Sequence, residues 1–243
     1  MIVTLTAKDK LIIALDVPTM EQMKYLVTTL GERVNFYKVG MELYYTLGDD
    51  VVSWLRQQEK KIFLDLKLHD IPNTVREGVR SLSAKGVDLI TIHSSGGRKM
   101  MEAAVEGAKQ HEEKYGKRPK ILAVTVLTSF DENGWKETGR SNAIEDDVRR
   151  LSELAQKAGV DGVVASAKEA KMIRNLCGDD FEIVTPGIRP IWAAAQDQAR
   201  IVTPAEALRC GATGLVIGRP VTQAKNPVEA VDKIIKEIKE QGQ

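Results

Sequence analysis

The sequence predicts an α/β protein folded as a single-domain (β/α)8 TIM barrel over residues 1–243, with its functional site at the carboxyl ends of the strands. Three observations predict it. Short runs rich in Val, Ile and Leu recur eight times along the chain. Each run is nearly continuous in apolar residues rather than alternating, as parallel strands under a helical layer are. Segments of helical spacing separate the runs, and 243 residues is a usual length for such a barrel. A doubly wound open sheet has the same alternation and is the alternative, because alternation alone does not establish closure. No linker, low-complexity stretch or break in composition divides the chain, so one domain is expected.

The first strand is "LIIALDV" (11–17), and "TMEQMKYLVTTLG" follows it with helical spacing as far as Gly31, a helix stop. "NFYKVG" (35–40) is the second strand and "KIFLDLK" (61–67) the third. The helix "PNTVREGVRSLSAKG" comes next, with Pro72 in its permitted first turn and Gly86 closing it. "VDLITIHSS" (87–95) is the fourth strand, and "KMMEAAVEGAK" reads as a helix face laid on the barrel with Met100 and Met101 as filler. "KILAVTVLTS" (120–129) is the fifth; the helix "EDDVRRLSELAQKAG" then carries acid in its first turn and ends at Gly159. "GVVAS" (162–166), "FEIVTPGI" (181–188) and "GLVIGRP" (214–220) complete the eight. The closing helix "NPVEAVDKIIKEIKEQG" is amphipathic through Val228, Val231, Ile234, Ile235 and Ile238, its charged tail reading as a solvated exterior. The longest irregular segments are 129–143 and 189–202, and loops of that length are more often functional than idle.

Composition narrows the function. Thirty-five basic and 34 acidic residues leave a net charge of +1, which argues against a nucleic-acid or anionic-membrane partner. No apolar run approaches the roughly 20 residues that span a bilayer, and the N-terminal apolar stretch is short and interrupted by Asp16, so a cytoplasmic protein is expected. Cys177 and Cys210 read as buried free thiols.

Polar residues gather at the carboxyl ends of the predicted strands: Asp16, Lys38, Asp65 with Lys67, His93 with Ser94, Thr128, Ser166, Arg189 and Arg219. Residues two apart on a strand share a face. Asp65 and Lys67 therefore face the barrel mouth, beside Asp16 and Lys38, while Leu64, Leu66 and Leu68 face the helices. Charges held there must be paired, since an isolated desolvated ion costs several kcal/mol. A protonated lysine between carboxylates is suited to give a proton to a developing carbanion. "TPGIR" (185–189) and "IGRP" (217–220) each set a glycine beside an arginine in the two loops that usually hold phosphate in such barrels.

These blocks resemble the orotidine 5′-monophosphate decarboxylase family. "LDLKLHDIPNTV" carries its Asp-x-Lys-x-x-Asp-Ile/Val-Pro-x-Thr pattern, and "ALDV", "KVGMELY", "DLITIHSSGG", "AVTVLTS", "TPGIRP" and "VIGRPVTQAKNP" follow its other blocks in order. The resemblance implies a homodimeric (β/α)8 barrel that converts orotidine 5′-monophosphate to uridine 5′-monophosphate with no metal or organic cofactor. It implies Lys67 as proton donor, Asp65 against the departing carboxylate, and Lys38 and Asp70 completing the charged array. Asp16 and Lys38 would bind the ribose, with Asp70, Ile71 and Thr74 supplied by the partner subunit. Ser166, Thr128 and Pro186 would meet the pyrimidine, Gln198 would reach between base and phosphate, and Arg189, Gly218 and Arg219 would hold the phosphate. "PIWAAA" matches loosely, so Trp192 has no assigned role.

A magnesium-dependent sugar-phosphate decarboxylase or aldolase of the same superfamily is the alternative; it needs an acidic ligand after the second strand, for which Glu42 is the candidate. A non-catalytic phosphate-binding module explains the Gly–Arg loops but leaves the Asp–Lys array without purpose. His93 reads as a hydrogen-bonded rim histidine, His69 as a helix-start or interface residue, and His111 as part of a solvated helix end. Three dispersed histidines do not suggest a metal cluster. Trp54 and Trp135 give no functional signal.

Overall fold

A computed structural model of the chain describes residues 7–196 and 202–241. The eight strands are β1 (Leu11–Ala14), β2 (Phe36–Gly40), β3 (Lys61–Leu68), β4 (Leu89–His93), β5 (Lys120–Val124), β6 (Gly162–Val164), β7 (Glu182–Thr185) and β8 (Gly214–Ile217). They pair in parallel in sequence order, and β8 returns to β1 through Leu11↔Leu215, Ile12↔Val216 and Ile13↔Ile217. The barrel is closed, which excludes the open doubly wound sheet. Most strands are shorter than the apolar runs that announce them. The fifth run, for example, leaves the sheet after Val124 and continues as an apolar loop lining the mouth.

Alternation sorts the side chains. Ile12, Ala14, Phe63, Leu89, Leu122, Val184 and Val216 fill the barrel interior, while Leu11, Ile13, Ile62 and Leu64 face the helices. Met100 and Met101 are fully buried in that outer layer, as filler residues would be. The helix Met20–Leu30 starts at Thr19, whose Oγ1 accepts the Gln22 N–H at 3.3 Å, and ends at Gly31. Pro72–Ser83 begins on its proline, and Ile144–Lys157 has Glu145, Asp146 and Asp147 in its first turn. The closing helix Pro227–Gln241 buries Val231, Ile234, Ile235 and Ile238, whereas Val228 is half-buried. No helix among the described residues is long and apolar enough to cross a membrane.

Four expectations need correction. The segment 129–143 is not wholly irregular: Glu132–Glu137 is helical, capped by Asp131, which accepts the Gly134 N–H at 2.7 Å. Trp135 is buried there and donates to Asp147 at 2.9 Å, so the indole is a structural anchor. His111 is buried and packs on Tyr115 with ring centroids 4.5 Å apart, because its helix, Gly97–Tyr115, turns that face inward. The closing helix is not solvated along its whole charged tail, since Glu237 is buried. Cys177 is buried but Cys210 only half-buried, and both thiols are free.

Candidate active site

The site grows from an irregularity in β3. The β3–β4 ladder pairs Leu64 with Ile90 and next pairs Leu68 with Ile92. Four steps on β3 are thus set against two on β4, so the extra residues bulge out opposite Thr91. Lys67 absorbs the distortion with φ +53°, a left-handed conformation that costs a residue with a Cβ about 1–2 kcal/mol. Simple alternation predicts that Asp65 and Lys67 share a face; they do, but by way of this bulge.

Four charged groups then stand in a row at the mouth. The Asp16 carboxylate accepts from Lys38 Nζ at 3.0 Å. Lys38 Nζ lies 3.8 Å from Asp65 Oδ2, and that same oxygen accepts from Lys67 Nζ at 2.9 Å. Only 12% of the Lys38 and 13% of the Asp65 side chain is exposed, so their interaction is little screened by solvent. Alternating signs let each desolvated charge be met by its neighbours. Gly40 keeps the row close: a Cβ there would lie 3.0 Å from Lys38 Nζ and 3.5 Å from Asp16 Oδ1.

Beside the row is a cavity of about 250 Å³. Lys38, Asp65 and Lys67 form its charged wall, while Phe63, Val124, Val164, Val216, Thr128 and Pro186 supply the rest. A charged wall against an apolar one can hold a flat, partly apolar ligand while the ammonium groups face one of its edges. Ser166 lines a neighbouring cavity that shares Val126, Leu127 and Thr128 with this one. Arg189 follows β7 and donates its N–H to the Val202 carbonyl at 3.2 Å. Gly218 follows β8, a Cβ there falling 3.7 Å from Asp16 Oδ2, and precedes Arg219 at the start of the turn Arg219–Thr222. Both arginines are at the carboxyl end of the barrel, though neither lines the 250 Å³ cavity itself. Gln198 lies outside the described residues.

Asp70, Ile71 and Thr74 are exposed on the outer side of this mouth, and the Asp70 carboxylate accepts the Ile71 N–H at 2.6 Å. Within this chain Asp70 makes no ion pair with the row. His69 stacks on His93 at 5.4 Å, and His93 Nδ1 meets Ser95 Oγ at 2.6 Å. Burial first, then the neighbouring His69 and Lys67, pushes the His93 pKa down. Glu42 is exposed on the helix Met41–Leu47, and no three His, Cys, Asp or Glu side chains converge as a metal site among the described residues. Trp192 is exposed beneath Lys233 Nζ, 5.8 Å from its ring centroid.

Sequence reasoning missed the apolar wall residues Phe63, Val124, Val164 and Val216, and it missed Thr91, which hydrogen-bonds both Asp65 and Lys67. The signal for Thr91 is a hydroxyl inside the otherwise apolar run "LITI". A larger cavity of about 370 Å³ lies at the opposite end of the barrel. There Glu182 pairs with Lys120, Arg118 with Asp161, and Asp88 accepts the Ile62 N–H, contacts that tie strands together at the barrel floor.

The family model described as "Orotidine 5'-phosphate decarboxylase / HUMPS family" matches residues 9–234. A relative from Heliobacterium modesticaldum named orotidine 5′-phosphate decarboxylase is 47% identical over 236 residues, covering 96% of this chain and 97% of its own. One of the same name from Geobacter sulfurreducens is 46% identical, with coverages of 96% and 97%. Among solved structures, the orotidine 5′-phosphate decarboxylase of Lactobacillus acidophilus superposes with a TM-score of 0.83 at 40% identity, covering 93% of this chain and 97% of that one.

Proposed function

Because this chain belongs to the orotidine 5′-phosphate decarboxylase / HUMPS family, we propose that it is a cytoplasmic carboxy-lyase converting orotidine 5′-monophosphate to uridine 5′-monophosphate and carbon dioxide. The observation that carries the proposal is the alternating row Asp16–Lys38–Asp65–Lys67, three members of which, Lys38, Asp65 and Lys67, wall a cavity at the barrel mouth. When the carboxylate leaves, the electron pair of the broken C–C bond stays on the pyrimidine carbon. With no electron sink at hand, only fixed charge can stabilise it. Lys67 faces that carbon with its ammonium already oriented by Asp65, and donates the proton that completes the product. Asp65 sits against the departing carboxylate; its remaining lone pairs are engaged, so it does not reorganise during the reaction.

The remaining roles follow the family pattern. Asp16 and Lys38 bind the ribose, Thr128, Pro186 and Ser166 the base, and Arg189, Gly218 and Arg219 the phosphate. Gln198 bridges base and phosphate from a loop, 189–202, that the bound phosphate draws closed, using binding energy far from the reacting carbon. Asp70, Ile71 and Thr74 complete the site of a second subunit in a homodimer. Their exposure, 66% for Ile71, supports this reading, since an isolated chain leaves them nothing to pack on. No metal or organic cofactor takes part, and no observation favours the magnesium-dependent alternative.

The test is the ultraviolet absorbance of orotidine 5′-monophosphate mixed with the protein. Its loss should proceed at the same rate with and without a chelator. Lys67→Ala should lower turnover by about 10²–10⁴-fold while uridine 5′-monophosphate still binds. Near-normal turnover by that variant refutes the assignment.

A further inference from the structure

We propose that Thr91 is a positioning residue that locks Asp65 and Lys67 into one rigid unit; the inference rests on the catalytic reading of those two residues. Thr91 lies in β4, fully buried, directly opposite the bulge in β3. Its Oγ1 donates to Asp65 Oδ1 at 2.9 Å and accepts the Lys67 backbone N–H, also at 2.9 Å. A hydroxyl has a single proton to give, so accepting from Lys67 and donating to Asp65 uses it in one direction only. The two bonds do different things.

The first fixes the carboxylate. Asp65 Oδ2 is taken by Lys67 Nζ, and Oδ1 by Thr91, so the group is held at both oxygens and cannot rotate about its terminal bond. The second ties the bulge to the neighbouring strand. Where the register slips between Leu64 and Leu68, the Lys67 N–H is taken by the threonine oxygen. It thereby supports the left-handed backbone at φ +53° that turns the lysine stem toward the cavity. Backbone and side chain of the acid–lysine pair thus depend on one hydroxyl, which itself lies behind Asp65 and does not line the cavity.

The test uses Thr91→Val, which keeps the shape and removes the hydroxyl, and Thr91→Ser, which restores it. Thr91→Val should lower kcat by at least about tenfold, as loss of a hydrogen bond to a charged group implies. The Kd for uridine 5′-monophosphate, measured by calorimetry, should change less than about threefold, and Thr91→Ser should retain most of the wild-type kcat. In an Asp65→Asn background the further effect of Thr91→Val should largely vanish, because the partner it holds is already altered. If Thr91→Val does not fold, Thr91→Ala carries the same expectation. Wild-type kcat in the folded hydroxyl-free variant, or loss of kcat in Thr91→Ser equal to that in Thr91→Val, overturns the inference. Normal turnover in Lys67→Ala would instead overturn the catalytic reading beneath it, so the two failures are separable.

Discussion

Lys38 has contacts on both sides: Asp16 at 3.0 Å and Asp65 at 3.8 Å, with only 12% of its side chain exposed. Removing it takes away the ammonium between the Asp16 and Asp65 carboxylates and leaves Lys67, beyond Asp65, as the one cation of the row, so the two like charges repel each other uncompensated. Lys38→Met should therefore reduce kcat/KM for orotidine 5′-monophosphate by about 10²-fold or more, measured by the same absorbance change. Lys67 makes a contrasting point. Its residue type and position announce a functional group, yet its left-handed φ has no signature in the sequence, because a lysine there is indistinguishable from one on an ordinary strand.

At the scale of elements, the loop 129–143 and the helix Ile144–Lys157 are joined through Asp147. That carboxylate accepts from Trp135 Nε1 at 2.9 Å, Asn142 Nδ2 at 3.2 Å and Arg150 at 2.9 Å. Burial pushes its pKa up, but those donors outweigh burial and leave it below the ordinary aspartate value. A lowered carboxylate pKa stabilises the fold above the unfolded-chain value and loses that contribution as pH falls through the lower, folded one. Asp147→Ala strands the buried Trp135 N–H and should cost about 2–3 kcal/mol in urea unfolding at pH 7, with the gap from wild type closing in strong acid. The strands, their order and the major helices were legible from apolar runs and glycine stops. The short helix Glu132–Glu137 was not, because its lone buried aromatic shows no period.

At the scale of the whole molecule, the closing helix reaches the segment after β7 through Glu237, whose Oε2 accepts the Ile191 N–H at 3.5 Å. Its other oxygen is buried with no close hydrogen-bond partner among the described residues, and desolvation pushes the pKa up against the lowering effect of the Ile191 and Ala205 backbone N–H groups. The folded chain thus binds this proton more tightly than the unfolded chain does. The sign follows: the ionised group disfavours folding once pH rises above its folded pKa, and the cost fades as pH falls to the unfolded value. Glu237→Gln should raise Tm by about 1–3 °C at pH 8 and by less at pH 4.5, read by calorimetry. No rise at pH 8 would mean that this carboxylate is not strained by burial.

By itself the sequence determined the eight strand-and-helix units, the Asp65–Lys67 pair and the two Gly–Arg loops, since each follows from short-range pattern: apolar continuity for the strands, spacing of two for Asp65 and Lys67, glycine beside arginine after β7 and β8. Closure of β8 onto β1, the bulge in β3 and the Thr91 bridge were decided only in three dimensions. Each depends on a partner 24 or more residues away along the chain, as the Thr91–Lys67 separation of 24 illustrates. Local propensity says nothing about which distant backbone will be adjacent; that is settled by the packing of all eight strands around one core.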